Sequence, residues 1–333
     1  MARYDIYGMG NALLDTEVEV DDAFLARMGI EKGMMTLVDA DRQRTLLNAL
    51  TAHSPAHKRA SGGSAANSII AAQYFGSRAF FSCRVAHDDA GDFYLNDLEK
   101  AGVSVNRNAR GAGVTGRCLV MITPDAERTM HTFLGISETL SPVDLDDNAI
   151  RDARWTYLEG YLASSTTGRE AALHAGRIAR AAGRQVAMTF SDPAMVQYFR
   201  DGLATMLGDG VDLLFCNHVE AQAWTGTTTI ADAARLLKSI ARSFVITCGG
   251  KGALAFDGTD FHDIAPTPVH AVDTNGAGDM FAGAFLHGLI HGMAFGEAGR
   301  LASAAAAKVV SNFGPRLHPM EHIEVLDAVR RSA

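Results

Sequence analysis

The chain has 333 residues, enough to bury a substantial core, and its length suits two domains or one large α/β unit. Lys and Arg total 30 against 38 Asp and Glu, a net charge of −8, and with no basic tract this argues against nucleic-acid binding; an anionic ligand must be held locally. Cys83, Cys118, Cys216 and Cys248 are too scattered for zinc-ligand pairs or a disulfide scaffold, which favours a reducing, cytoplasmic setting.

Met1-Ala2-Arg3-Tyr4-Asp5 runs straight into a strand-like segment, Ile6 to Met9, with no signal-peptide apolar core. Gly8-Met9-Gly10-Asn11-Ala12-Leu13-Leu14-Asp15 then sets Asn11 and Asp15 at the strand edge where α/β proteins bind ligands. A carboxylate and an amide there suit a diol, although such residues also serve as plain turn formers. Leu13 stands where a dinucleotide fingerprint carries its third glycine, which disfavours a nicotinamide-dependent oxidoreductase. From Leu13 to Asp39 the alternation of strand and helix is broken. Gly62-Gly63-Ser64-Ala65-Ala66-Asn67 opens a helix predicted over Ser64 to Tyr74, with Asn67 one turn in, facing either that ligand edge or solvent. Ala79 to Val85 follows as a compact apolar strand.

A second break, Ala112 to Leu134, holds two strand-like runs, Gly116 to Thr123 and Thr129 to Leu134, joined by Pro124-Asp125-Ala126-Glu127 as an antiparallel hairpin. Two such interruptions suit a small second layer or lid that excludes water from a transfer reaction. Arg128 on the hairpin is placed to close over a phosphate or simply to be solvated. Strands over Trp155 to Leu158, Gln185 to Phe190, Asp212 to Cys216 and Phe244 to Thr247 then alternate with helices such as Thr167 to Ala182 and Ile230 to Ala241. This is the crossover grammar of a largely parallel sheet.

Asn217-His218-Val219-Glu220 follows the third of these strands and sets Asn217 and Glu220 on one helical face. The pair suits a hydrated Mg²⁺ near phosphates, or equally an N-cap with a first-turn Glu. Thr247-Cys248-Gly249-Gly250-Lys251-Gly252 ends a strand in glycines, fitting a nucleotide's approach to the backbone or a strand-to-strand turn. It is not a Walker A loop, since Gly252 rather than Ser or Thr follows Lys251.

Asp273-Thr274-Asn275-Gly276-Ala277-Gly278-Asp279 precedes an apolar run from Met280. A Gly-Ala-Gly turn at a helix start leaves amide donors open to an anion, and Asp279 beside them is placed to take a proton from a hydroxyl. A tight loop with Asp279 as an ordinary cap uses the same residues. His287 and His291 lack the Glu and third ligand of a zinc helix and read as packing or surface residues. Ala60 to Ser77 and Met280 to Gly296, the longest uncharged stretches, are too polar or glycine-broken for membrane spans and suit buried helices.

In their order along the chain, the Asp273–Asp279, Gly62–Asn67 and Asn217–Glu220 motifs resemble the signatures of the ribokinase-like (PfkB) family of carbohydrate and nucleoside kinases, with similarity from about Tyr4 to Pro315. Gly10-Asn11-Ala12-Leu13-Leu14-Asp15 looks most like the adenosine kinase branch, where a proline usually stands at the position of Ala12. The resemblance implies an α/β fold, a doubly wound sheet core flanked by helices over residues 1–12, 40–111 and 135–333, and a small β lid over 13–39 and 112–134. It implies ATP and Mg²⁺ as cofactors and a 5′-hydroxyl of a purine nucleoside as acceptor, with Asp279 as base and Gly276, Ala277 and Gly278 as anion hole. Asn11, Asp15, Gly63 and Asn67 would bind the sugar. Asn217 and Glu220 would organise Mg²⁺ and phosphate, Arg128 would steady the transferring group, and Thr247, Gly249 and Gly252 would line the ATP site. A monovalent cation, commonly K⁺, is a family option near Asp273 and Asn275. Phe133 and Leu134 are the expected selectors of a base, Phe133 by stacking. A sugar kinase acting on ribose, fructose or a keto-deoxy sugar acid is the alternative; a nucleoside-binding protein without turnover is another. The expected partners are small molecules, not nucleic acid or membrane, for a monomer or homodimer.

Overall fold

The computed structural model describes residues 2–54, 58–125 and 127–331. Met1, Ala126 of the expected hairpin turn, and residues 55–57 and 332–333 of the expected core lie outside the described residues. The strands are β1 (Tyr4–Met9), β2 (Leu13–Glu19), β3 (Met35–Leu37), β4 (Lys58–Gly62), β5 (Ala79–Ser82), β6 (Val85–Ala86), β7 (Ser104–Val105) and β8 (Arg110–Gly111), followed by β9 (Gly116–Ile122), β10 (Arg128–Phe133), β11 (Ala153–Leu158) and β12 (Gln185–Thr189). The last four are β13 (Val211–Asn217), β14 (Ala241–Thr247), β15 (Ala253–Phe256) and β16 (Phe261–Ile264).

Nine of them form one sheet in the order β16-β15-β14-β13-β12-β11-β1-β5-β7. Pairing is parallel from β14 to β7, and only β14-β15 and β15-β16 are antiparallel. The inner strands β1, β5 and β11 to β14 are buried on both faces, as a sheet covered on both sides requires. Ile6, Phe215 and Val245 pack under the helices Ser64–Tyr74, Ala277–Ile290 and Phe295–Val310. Tyr7, Leu214 and Phe244 pack under Thr166–Ala181 and its neighbours on the other face. The helix Ser64–Tyr74 is buried at every position from Ala65 to Ala72, and Met280 to Gly288 of Ala277–Ile290 are buried likewise. The helical parts of both uncharged stretches are thus interior, and among the described residues no helix is long and apolar enough to cross a membrane.

The two expected interruptions do form a second sheet, with the order β3-β10-β9-β2-β4. β9 and β10 are the antiparallel hairpin, with Arg128 opposite Ile122 and Phe133 opposite Arg117. Its outer face, with Val18, Leu119 and Met121, is covered by the helices Asp22–Arg27 and Ala40–His53. Its inner face carries Cys118, Val120 and Met130.

Three expectations need correction. β4 pairs with β2, and Leu46 and Leu50 of Ala40–His53 pack on the small sheet, so residues 40–54 and 58–62 belong with that layer rather than the core. The run from Ala79 ends at Ser82, because Val85 leaves the large sheet to pair with Arg110. The helix from Ile230 ends at Leu237, and Ala241 already opens β14 opposite Val211.

Candidate active site

The C-terminal ends of β1, β11, β12 and β13 open into a cleft of about 510 Å³ between the two sheets, where ligands of open α/β folds gather. Asn11, Asp15, Gly63, Asn67, Arg128, Asn217, Glu220, Thr247, Gly249, Asn275, Gly276, Ala277, Gly278 and Asp279 all line it. Residues more than 250 positions apart in the chain therefore share one wall, as a parallel sheet with crossover helices arranges.

Asp279 sits in the first turn of Ala277–Ile290. Its carboxylate accepts from Ser64 Oγ at 2.6 Å and from Asn67 Nδ2 at 3.0 Å. Burial raises its pKa, against which Ser64, Asn67, Arg128 and Arg316 act to lower it. No side chain caps this helix, so its first amides, which have no intrahelical acceptor, are left for a ligand. Gly276 occupies the left-handed region, φ 73°, and its Cα lies against Pro315, where a Cβ would not fit. Gly63, φ 96°, caps the helix Ser64–Tyr74 and presses on the Asn11 carbonyl in the same way. The first contact seats the turn on the segment at Pro315, and the second seats the start of Ser64–Tyr74 on the segment at Asn11.

Arg128 reaches from the small sheet to the turn: Nη1 donates to Asn275 Oδ1 at 2.9 Å and Nε lies 3.5 Å from the buried carboxylate of Asp273. Asp273 in turn accepts from the backbone amides of Asn275 and Gly314. Asp15, from β2, is buried and its pKa is pushed up to about 8, mainly by that burial, with Arg316 opposing.

At the other end of the cleft Asn217 and Glu220 form a reciprocal cap. Glu220 Oε2 accepts from the Asn217 amide at 2.9 Å, Oε1 accepts from Asn217 Nδ2 at 2.7 Å, and Asn217 Oδ1 accepts from the Glu220 amide at 2.9 Å. The motif is a capping box, and it also lines the cleft. Burial raises Glu220 to about 7. Thr247 and Gly249 sit on the β14-β15 turn and line the cleft as well.

Two expected residues lie elsewhere. Along β10 and its exit Arg128, Met130, Thr132 and Leu134 line the cleft, so the two-residue period of a strand turns Phe133 to the other face. Gly252, φ 91°, is pressed against the Ile264 carbonyl of β16 and does not line the cleft. His287 donates to or accepts from Ser77 Oγ at 2.9 Å in the core, with the His291 ring tilted against it, as packing residues do. Among the described residues no group of three His, Cys, Asp or Glu could hold a metal ion directly.

Sequence reasoning missed Ser64, Glu159, Asp192 and Arg316. Glu159 follows β11, the same strand-end position that singled out Asn11 and Asn217, and the rule would have found it. It is buried, raised to about 7 by that burial, and accepts from the Asn11 amide, Asn11 Nδ2 and the Ala65 amide at 3.2, 3.2 and 2.9 Å. Asp192 likewise follows β12 and lines the cleft. Arg316 carries no local signal.

The model for "pfkB family carbohydrate kinase" matches residues 32–323. The adenosine kinase of Sinorhizobium meliloti has a similar structure, TM-score 0.91, with 33% identity over 100% of both chains. A probable sugar kinase of Rhizobium etli superposes with TM-score 0.92 at 32% identity, covering 99% of this chain and 100% of the other. The adenosine kinase of Saccharomyces cerevisiae is 29% identical over 336 residues, 95% of this chain and 97% of the yeast protein.

Proposed function

Because this chain belongs to the pfkB family of carbohydrate kinases, and so is a phosphotransferase with an alcohol acceptor, we propose that it transfers the γ-phosphoryl group of ATP to the 5′-hydroxyl of a purine nucleoside, adenosine first, giving AMP and ADP. One observation carries the choice of acceptor: the cleft is amphipathic. Asn11, Asp15, Asn67 and Asp279 make a polar edge, while Leu13, Met35, Leu37, Val120, Met130 and Leu134 face it from the small sheet. A ribose carrying a flat base, whose ring faces are apolar, matches both walls, whereas a free sugar or sugar acid would leave the second wall facing hydroxyls. The small sheet then serves as the lid.

In this reading Asp15 and Asn11 bind the ribose hydroxyls beside Gly63 and Asn67, and Asp279 accepts the 5′-hydroxyl proton. The amides of Gly276, Ala277 and Gly278, with the Arg128 guanidinium, draw charge from the transferring group, which is what phosphoryl transfer asks of a protein. Added Cβ atoms at Gly278, Gly249 and Gly250 would meet nothing within 4 Å, so the backbone is open to a nucleotide at both points. The family implies Mg²⁺ as well. Both oxygens of Glu220 are taken by Asn217, so the pair fits a hydrated ion reached through water rather than a direct ligand set. Mg²⁺ held there would supply charge neutralisation for the phosphates. A monovalent cation near Asp273 and Asn275 would share their side-chain oxygens with the Asn275 and Gly314 amides and with Arg128.

The test is ADP release with Mg-ATP across adenosine, inosine, guanosine, cytidine, ribose, fructose and 2-keto-3-deoxygluconate. Adenosine should give the highest kcat/KM. A sugar preferred over every nucleoside would replace this reading with the sugar kinase, and adenosine binding without ADP release would leave a binding protein.

A further inference from the structure

Arg316 lies outside the cleft lining, in the segment after the helix Phe295–Val310, yet it touches the residue that touches Asp279. Its Nε donates to Asn67 Oδ1 at 2.9 Å, and the other end of the same amide, Nδ2, donates to Asp279 Oδ2 at 3.0 Å. A guanidinium has donors only and an ionised carboxylate acceptors only. One orientation of the Asn67 amide satisfies both neighbours. The orientation turned by half a rotation sets NH₂ against the guanidinium and oxygen against the carboxylate, so that both hydrogen bonds are lost and like charges face each other.

The guanidinium is itself held from two further elements. Nη1 donates to Asp97 Oδ2 at 3.1 Å, from the helix Asp89–Lys100, and Nη2 donates to Ser61 Oγ at 3.2 Å, from β4 of the small sheet. Ser61 Oγ and its backbone amide also donate to Asp97. Three acceptors in different directions match the fixed fork of an arginine and not the single ammonium of a lysine. The neighbouring residues brace the anion turn, Gly314 through its amide to Asp273 and Pro315 through its contact with Gly276. One short segment thus holds the turn on one side of the reacting atoms and the donor to Asp279 on the other.

We propose that Arg316 is a positioning residue for the acceptor side of the reaction, locking the Asn67 amide so that its nitrogen faces Asp279. The proposal rests on the reading of Asp279 as the base. It assigns Arg316 no contact with substrate; beside the long-range charge that it exerts on Asp279, its hydrogen-bonded effect passes through Asn67.

The experiment is a cycle of Arg316→Met, Asn67→Ala and the double variant, with kcat and KM for both substrates and thermal melting of each protein. Loss of a charge-assisted hydrogen bond in the relay should lower kcat by about tenfold or more in either single variant, with KM for ATP held within about twofold. In the Asn67→Ala background Arg316→Met should cost less than about a further twofold, because the amide it orients is gone. Arg316→Lys should recover only part of the loss. If Arg316→Met does not fold, Arg316→Lys carries the same comparison in both backgrounds. A double variant whose loss equals the product of the single losses, or a full kcat in Arg316→Met, overturns the relay. Asp279→Asn run alongside separates the two ideas: near wild-type turnover there overturns the base itself, whereas an inactive Asp279→Asn with multiplying single losses removes only the role of Arg316.

Discussion

Asn67 and Asp279, 212 positions apart in the chain, meet at 3.0 Å with the amide donating to the carboxylate. Burial raises the pKa of Asp279, and the Ser64 and Asn67 hydrogen bonds, then the charges of Arg128 and Arg316, hold it back. A base must be ionised, so activity is lost as pH falls through that raised pKa. The acid limb of kcat/KM should therefore lie above the range of an exposed aspartate, and Asn67→Ala, which removes a donor to the ionised form, should move it higher still. Asp279→Asn should lower kcat by about 10²–10⁴-fold with nucleoside binding retained. A pH profile unchanged by Asn67→Ala would break the link between this hydrogen bond and the reaction.

Asp15 offers a test in the ligand-free protein. Its pKa is raised from 3.8 to about 8, chiefly by burial, with Arg316 opposing and the carboxylates of Glu17 and Asp279 adding to the rise. Between those values the folded protein keeps a proton that the unfolded chain has released, so the stability it contributes is full below pH 3.8 and is lost as pH rises to about 8. Glu159 and Glu220, both raised to about 7, push the same way. Asp15→Asn should raise the melting temperature at pH 8 and shrink the drop in melting temperature from pH 5 to pH 8, while weakening nucleoside binding. An unchanged drop would mean that Asp15 is not buried as a charge in solution.

Much of this architecture was legible in the sequence, because crossover strands and helices announce themselves by apolar runs and glycine-opened turns. The helix Ser64–Tyr74 starts and stops where its Gly62-Gly63 opening and alanine-rich face predict. The hairpin of β9 and β10 was legible too, but not which face of it meets the cleft. Placing Phe133 there required knowing the pleat, and the pleat is set by pairing with β9 and β3, not by β10 itself. β4 carries the short polar run Lys58-Arg59-Ala60-Ser61-Gly62, with no apolar alternation to mark it as a strand, so its place in the small sheet came only from its partner β2. Arg316 was invisible for a related reason: a lone arginine in a loop gains its meaning from Ser61, Asp97 and Asn67, all more than 200 positions away.

The apolar wall of the small sheet gives a prediction about selectivity. Leu134 stands at the cleft end of β10 among Met130, Val120 and Leu13. Removing its branched end costs the nucleobase roughly 0.8 kcal/mol per lost buried carbon, so Leu134→Ala should raise KM for adenosine by about tenfold or more with kcat little changed. Phe133→Ala, on the opposite face, should leave KM for adenosine near the wild-type value. The reverse pattern would show that Phe133 turns into the cleft when substrate binds.

Gly276 and Gly278 sit two residues apart in the same turn and should fail differently. At Gly276 the backbone has φ 73°, and a Cβ would lie 2.5 Å from the Pro315 carbonyl oxygen. Gly276→Ala therefore combines a left-handed residue, costing about 1–2 kcal/mol, with a clash that displaces the segment carrying Gly314 and Arg316. Melting temperature and kcat should fall together. At Gly278 the backbone is helical and an added Cβ meets no protein atom within 4 Å. Gly278→Ala should keep the melting temperature close to wild type, since alanine suits a helix better than glycine. Its methyl group would instead stand in the open space over the first-turn amides, where the phosphates are proposed to bind, so kcat/KM for ATP should fall by itself. Equal loss of stability in both variants would mean that the turn is braced as a unit, and a Gly278→Ala enzyme with full kcat/KM for ATP would move the anion hole away from these amides.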